Sequence, residues 1–194
     1  MDALSNLIDS LRGLPGVGPK SAQRMAYQLL QQRHRGYKLA DCLHQAMNLV
    51  VNCACCNNYT SNALCALCLR TDRDKTILCV VEGPADVAAI EQTGAYFGSY
   101  YVLMGKISPM DGVGPEQLAI DGLLNRIKEN STQEVIFALS PTLEGRTTVH
   151  YIENCLRPYA LRITQLAHGI PSGGALEFLD GNTIGSALRH RVAY

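Results

Sequence analysis

Four cysteines constrain this chain more than any other feature. Two residues lie between Cys53 and Cys56, two lie between Cys65 and Cys68, and eight residues separate the pairs. Each pair spans one edge of a tetrahedron, so four thiolates close around a zinc ion. Between them runs Asn57-Asn58-Tyr59-Thr60-Ser61-Asn62, polar turn material suited to folding the knuckles together. Cys55 falls inside the first knuckle and leaves Cys55 in place of Cys53 or Cys56 open, although the spacing favours 53 and 56. A closed four-cysteine shell has no open coordination position, so one structural zinc per chain is expected. A redox motif would be one pair beside a βαβ unit, not two facing pairs. The opening Met1-Asp2-Ala3-Leu4-Ser5 has no basic or apolar leader character. A cytoplasmic setting that keeps thiols reduced is therefore expected. Cys42, Cys79 and Cys155 sit in apolar helix or strand patterns and read as buried thiols.

The cysteine segment divides the chain. Over residues 1–52 the apolar residues recur with helical period, as Leu4, Leu7, Ile8, Leu11, then Ala22, Met25, Ala26, Leu29, Leu30, then Leu39, Cys42, Leu43, Ala46, Val50. From 76 onward short β-type runs appear at Ile77–Val81, Tyr100–Met104, Val135–Leu139 and Ile163–Ala167, with helical stretches such as 115–129 and 146–156 between. That alternation predicts a mostly parallel sheet with helices on its faces. The expected architecture is thus an α+β chain of several parts: a helical region at 1–52, a zinc finger at 53–75, an α/β domain at 76–170, and a C-terminal loop and helix at 171–194 that read as a subunit contact. The longest aliphatic run, Ile77–Val81, is far short of the roughly 20 residues of a membrane span. Gly-Val-Gly-Pro occurs at 16–19 and again at 112–115. The flanks do not match, so it reads as one local turn used twice. The glycine-rich segments 108–116 and 168–174 read equally as subunit contacts or plain loops.

Charge is segregated. Formal net charge is zero, yet residues 1–52 carry six Lys/Arg against three Asp, and residues 76–194 carry eight basic against twelve acidic side chains. From Ser10 to Ala40 there are six cations and no anion. Overall neutrality excludes sequence-independent coating of nucleic acid, which needs a large cationic excess. It leaves room for a local grip. Leu14-Pro15-Gly16-Val17-Gly18-Pro19-Lys20-Ser21 joins two helices, and the N–H groups opening the second helix attract an anion. Lys20 and Arg24, at i and i+4, lie on one face beside it. This resembles a helix-hairpin-helix, which grips DNA backbone without reading bases. A P-loop fails because Pro19 separates Gly18 from Lys20; a plain helical connector is the bland alternative.

In the acidic half, Leu78-Cys79-Val80-Val81-Glu82-Gly83-Pro84-Ala85-Asp86 is a strand ending in a carboxylate, then a helix start. It is similar to the first motif of toprim domains, whose enzymes add an Asp-x-Asp pair after a later strand and hold Mg²⁺ with the three carboxylates. After Val135–Leu139 this chain has Ser140-Pro141-Thr142-Leu143-Glu144-Gly145 instead. Only Glu144 remains to approach Glu82, and no nucleophile stands out; His150 and His168 join no constellation. No catalytic residue is assigned. Glu82, Asp86 and Glu144 read either as solvated helix ends or as a docking surface for a basic partner.

The ordered set of motifs resembles one family, the bacterial recombination mediator RecR. Besides the hairpin, the knuckles and the Glu82 segment, the likeness runs through Tyr101-Val102-Leu103-Met104-Gly105, Ile107-Ser108-Pro109-Met110-Asp111-Gly112, Pro141-Thr142-Leu143-Glu144-Gly145 and Ala167-His168-Gly169-Ile170-Pro171. It covers nearly the whole chain. The resemblance implies a non-enzymatic DNA-binding protein of recombinational repair that forms ring-like homo-oligomers. It implies work with RecO and RecF to load RecA on gapped DNA. DNA contact maps to Lys20 and Arg24, and partner contact to Glu82 and Glu144. The competing expectation is a Mg²⁺-dependent nuclease or primase-like toprim enzyme. Cys55 and the uncharged ending Ala193-Tyr194 stand out as peculiar to this chain.

Overall fold

Helical period decides the first fifty residues. In the computed structural model, which describes residues 2–129, 131–167, 169, 170, 173 and 175–189, three helices form there: α1 (Ala3–Arg12), α2 (Pro19–Gln31) and α3 (Arg33–Leu49). Nothing further is described of Asn182 than its place in a helix. Residues 1–50 form one unit and 51–194 another. In the first, α1 packs against α2, where Ala22 and Ala26 are fully buried. No residue of α3 is buried, and Cys42 is exposed rather than a core thiol. Period fixes which residues share a helix face; it does not supply a layer to cover that face.

The second unit opens on a small antiparallel pair, β1 (Val51–Asn52) and β2 (Tyr59–Thr60), followed by the single turn α4 (Ala66–Leu69). Its body is a four-stranded parallel sheet in the order β4-β3-β5-β6, built from β3 (Asp74–Val81), β4 (Gly98–Val102), β5 (Glu134–Ala138) and β6 (Arg162–Gln165). The connecting helices are α5 (Pro84–Thr93), α6 (Ile120–Glu129) and α7 (Leu143–Leu156), and α8 (Gly181–Arg189) follows the sheet. Strand β3 is apolar on both sides, as a strand covered on both faces must be. Leu78 and Val80 enter a core with Leu123 and Ile127 of α6 and Ile152 and Leu156 of α7. Cys79 and Val81, on the opposite face, pack with Val87 of α5, and Leu67 of α4 lies against the same cluster. The cysteine segment therefore caps one face of the sheet.

Helix 115–129 is not continuous. A 3₁₀ turn covers Pro115–Gln117, Leu118 is extended, and α6 begins at Ile120. Leu118 and Ile120 both enter the same core. Two residues apart on an α-helix would point to opposite sides, so the backbone between them must straighten. Helix α7 begins at Leu143 rather than 146 because Thr142 caps it, accepting a hydrogen bond from the Gly145 N–H at 3.2 Å. The repeated tetrapeptide does fold the same way twice. Gly16 and Gly112 have φ of +78° and +70°, Gly18 and Gly114 are extended N-caps, and Pro19 and Pro115 start helical turns. His168, Pro171, Ser172 and Gly174 of the glycine-rich segment, and the tail from 190, lie outside the described residues.

Candidate nucleic-acid hairpin, metal centre and carboxylate crevice

The hairpin is set by its backbone. Gly16 needs its positive φ to reverse the chain, and Val17 donates to the Leu14 carbonyl at 3.1 Å. No atom lies within 4 Å of where a Cβ would stand on Gly16 or Gly18, so the loop is open to a ligand. The first backbone bond of α2 runs from Ala22 N to Gly18 O, and no side chain caps the N–H groups before it. Lys20 and Arg24 are exposed one turn apart beside that end. Two exposed cations beside an uncapped helix N-terminus are an arrangement suited to holding a phosphate.

The cysteines converge as well. The sulfur atoms of Cys53, Cys56, Cys65 and Cys68 all lie within 4.8 Å of one another, and Cys56 Sγ is 3.5 Å from Cys65 Sγ. Tetrahedral Zn–S bonds of about 2.3 Å would place sulfurs about 3.8 Å apart, so the cluster fits such an ion. Pairing of β1 with β2 folds the first knuckle, Asn57 takes a left-handed φ of +61°, and the Cys65 N–H points at Cys53 Sγ at 3.2 Å. Hydrogen bonding from Cys68 holds Cys56 down at about 5, while the same contacts and burial drive Cys68 up, and burial with its Cys56 neighbour raises Cys65. Cys55 stands outside this foursome. Its thiol hydrogen-bonds with Cys68 and touches the Arg126 guanidinium, and it is held at about 6, chiefly by Cys68.

The knuckle is tied to strand β4 by two bonds and to helix α6 by a third. Val102 N of β4 donates to Cys56 O at 2.9 Å, and Asn57 Nδ2 donates to Val102 O at 2.7 Å. Arg126 of α6, buried in an otherwise apolar stripe, donates to Cys55 O at 3.0 Å. Asn57 reads in the sequence as turn material only, and Arg126 belongs to no motif. The signal was present for Arg126, a cation at a core-facing position of α6 between Leu123 and Ile127.

Glu82 follows β3, and Ser140 follows the neighbouring strand β5. The chain runs from β3 outward to β4 on one side and then to β5 on the other, so their carboxyl ends flank the point where strand order reverses, the usual ligand crevice of such sheets. Here the crevice is bridged: the Ser140 N–H donates to Glu82 Oε1 at 2.6 Å. Helix α7 approaches closely enough that a Cβ on Gly145 would stand 2.0 Å from the Ser140 carbonyl oxygen and 3.5 Å from Glu82 Oε1. Glu144 precedes Gly145 in the first turn of α7, and the charged side chains that act on its carboxylate are Lys106 and Asp111 rather than Glu82. Its carboxyl is held below the usual range by its own backbone N–H, by Thr142 and by Lys106 nearby. Asp86 turns inward instead, accepting from Gly83 N at 2.8 Å to cap α5.

Comparison with known proteins bears on these three places together. Residues 76–167 match the Toprim domain family, residues 4–47 the family described as RecR, helix-hairpin-helix, and residues 169–192 that described as RecR, C-terminal. The Recombination protein RecR of Legionella pneumophila (strain Philadelphia 1) is 60% identical over 193 residues, covering 99% of this chain and 97% of its own. The protein of the same name from Coxiella burnetii (strain RSA 493) is 47% identical over 188 residues, 96% and 94% of the two chains. The chain belongs to the RecR family. Within this RecR chain the hairpin, the thiol cluster and the crevice lie inside segments that those relatives share end to end. The toprim portion keeps the strand-end carboxylate Glu82, but Ser140-Pro141-Thr142 stands where a toprim enzyme would place its Asp pair.

Proposed function

We propose that this chain is a non-enzymatic DNA-binding mediator of recombinational repair. Its hairpin, with Lys20 and Arg24, holds DNA phosphates; Cys53, Cys56, Cys65 and Cys68 hold one structural zinc; Glu82 and Glu144 dock a partner. The observation that carries the reading is the open, uncapped start of α2 flanked by two exposed cations, in a chain of the RecR family. The sequence Ser140-Pro141-Thr142 in place of an Asp pair supports the absence of Mg²⁺ chemistry, because Glu82, with one oxygen accepting from the Ser140 N–H, has no carboxylate pair beside it to complete a metal site.

The labour divides along the chain: residues 1–52 for DNA, 53–75 for zinc, 76–170 for partners and 171–194 for subunit contact. Following the family resemblance, the partners are RecO and RecF, and the outcome is loading of RecA on gapped DNA. A ring-like homo-oligomer is supported by the uncovered apolar residues of α3, among them Leu39, Leu43 and Met47. Several weak phosphate grips then engage one DNA together. Among the described residues no helix is long and apolar enough to cross a membrane. A cytoplasmic location fits a DNA-repair role.

Incubation of the protein with labelled DNA, with and without Mg²⁺, tests the proposal. Retarded but intact DNA is expected, and Lys20→Glu with Arg24→Glu abolishes the retardation while zinc content stays unchanged. Mg²⁺-dependent cleavage or joining would establish the toprim-enzyme reading instead.

A further inference from the structure

Beyond the phosphate grip, helix α2 presents a shallow, open surface that continues from Lys20 and Arg24 past Gln23, Tyr27 and Gln28 to Gln31. These positions follow one another at intervals of three and four, so they form a single stripe along the helix. Its chemistry is uniform. Two cations, several carboxamides and one phenol line it, with no carboxylate and no aliphatic side chain among them. An apolar peptide finds nothing to bury there, and the absence of any acidic residue from Ser10 to Ala40 leaves the local field positive. Tyr27 is the exception to an otherwise hydrophilic surface. It is 45% exposed, and its hydroxyl accepts a hydrogen bond from Gln23 Nε2 at 3.0 Å, which restricts where the ring can point. At the far end Gln32 Oε1 is buried without a hydrogen-bond partner.

A tethered aromatic ring one turn from a phosphate-holding arginine, flanked by amides that donate and accept, matches unpaired nucleotides. The ring offers a stacking platform, the cations hold the backbone, and the amides reach base edges. In a duplex the base faces are occupied by their neighbours, and opening a step has its own cost. We infer that α2 is a single-strand-selective surface, in which Tyr27 stacks on a base of the strand whose phosphates Lys20 and Arg24 hold. The inference rests on the DNA-binding reading of the hairpin and specifies its substrate.

The chain contains no tryptophan, so Tyr27→Trp introduces a unique fluorophore into the full-length protein. Titration with oligo(dT) should quench it, whereas a duplex of equal length should not. Tyr27→Ala should weaken oligo(dT) binding about 10-fold, the loss of one base–aromatic stack, and leave duplex affinity unchanged. Because no phosphate contact is lost, the salt slope should not move. Tyr27→Phe keeps the ring and should bind as the parent does; a loss equal to that of the alanine variant would overturn stacking. Equal effects of Tyr27→Ala on single strand and duplex, or none on either, would also overturn it. Lys20→Glu with Arg24→Glu separates the two readings. If that variant loses both DNAs while Tyr27→Ala loses neither, only the stacking surface falls. If it loses neither, the hairpin assignment falls with it.

Discussion

At the scale of single residues, Gly145 carries more than its size suggests. It lets α7 press on the β5 end, where the Ser140 N–H meets Glu82. A methyl group 2.0 Å from a carbonyl oxygen has nowhere to go, because the obstacle is backbone. Gly145→Ala should therefore destabilise the α/β unit by about 1–3 kcal/mol, the usual cost of overpacking. Thermal unfolding measures this, and an unchanged midpoint would show that the packing relaxes freely. Arg126 acts at the same scale on the metal site. Its bond to Cys55 O orders the knuckle between the first two ligands. Outer partners of metal ligands typically contribute about 10–100-fold in metal affinity. Arg126→Ala should release zinc to a chromophoric chelator correspondingly faster, with Cys53, Cys56, Cys65 and Cys68 all intact. An unaltered release rate would confine Arg126 to packing.

At the scale of elements, the cysteine segment is a cap on the sheet rather than a detachable finger. Leu67 of α4 enters the core beneath Cys79 and Val81, and Val102 of β4 exchanges hydrogen bonds with Cys56 and Asn57. Binding free energy at a structural zinc site is folding free energy, so its removal should be felt by whatever is fastened to it. Stripping the metal should lower the unfolding midpoint of the parallel sheet and not merely unravel residues 53–68. Circular dichroism of metal-free protein that melts at the unaltered temperature would contradict the linkage. Among these elements the local ones were legible in the sequence. The unbroken apolar run Leu78-Cys79-Val80-Val81, buried on both faces, the two Gly-Val-Gly-Pro turns and the thiol spacing all lie in contiguous residues. What stayed hidden was long-range: Arg126 meets Cys55 across 71 positions, and Ser140 meets Glu82 across 58. The break before α6 was hidden for a related reason, since only a core shared by Leu118 and Ile120 forces it.

At the scale of the whole molecule, zero net charge is a balance between parts with different tasks. A cation-rich helical unit precedes an acidic α/β half. Four zinc thiolates with their ion would add a further charge of about −2. The proposed function assigns the DNA grip to one basic hairpin and the acidic side chains to a basic partner, with no blanketing of DNA. Of the carboxylates given that role, Glu144 is held below its usual range by its own backbone N–H, by Thr142 and by Lys106. The central claim is therefore that affinity for DNA comes from two phosphate contacts on α2, and no chemistry follows. The salt dependence of binding, measured in Mg²⁺ for the parent and for Lys20→Ala with Arg24→Ala, tests it most directly. The account predicts intact DNA and a log–log slope shallower in the variant by about 1.4–1.8 for each engaged subunit. An unchanged slope, or cleaved DNA, would contradict it.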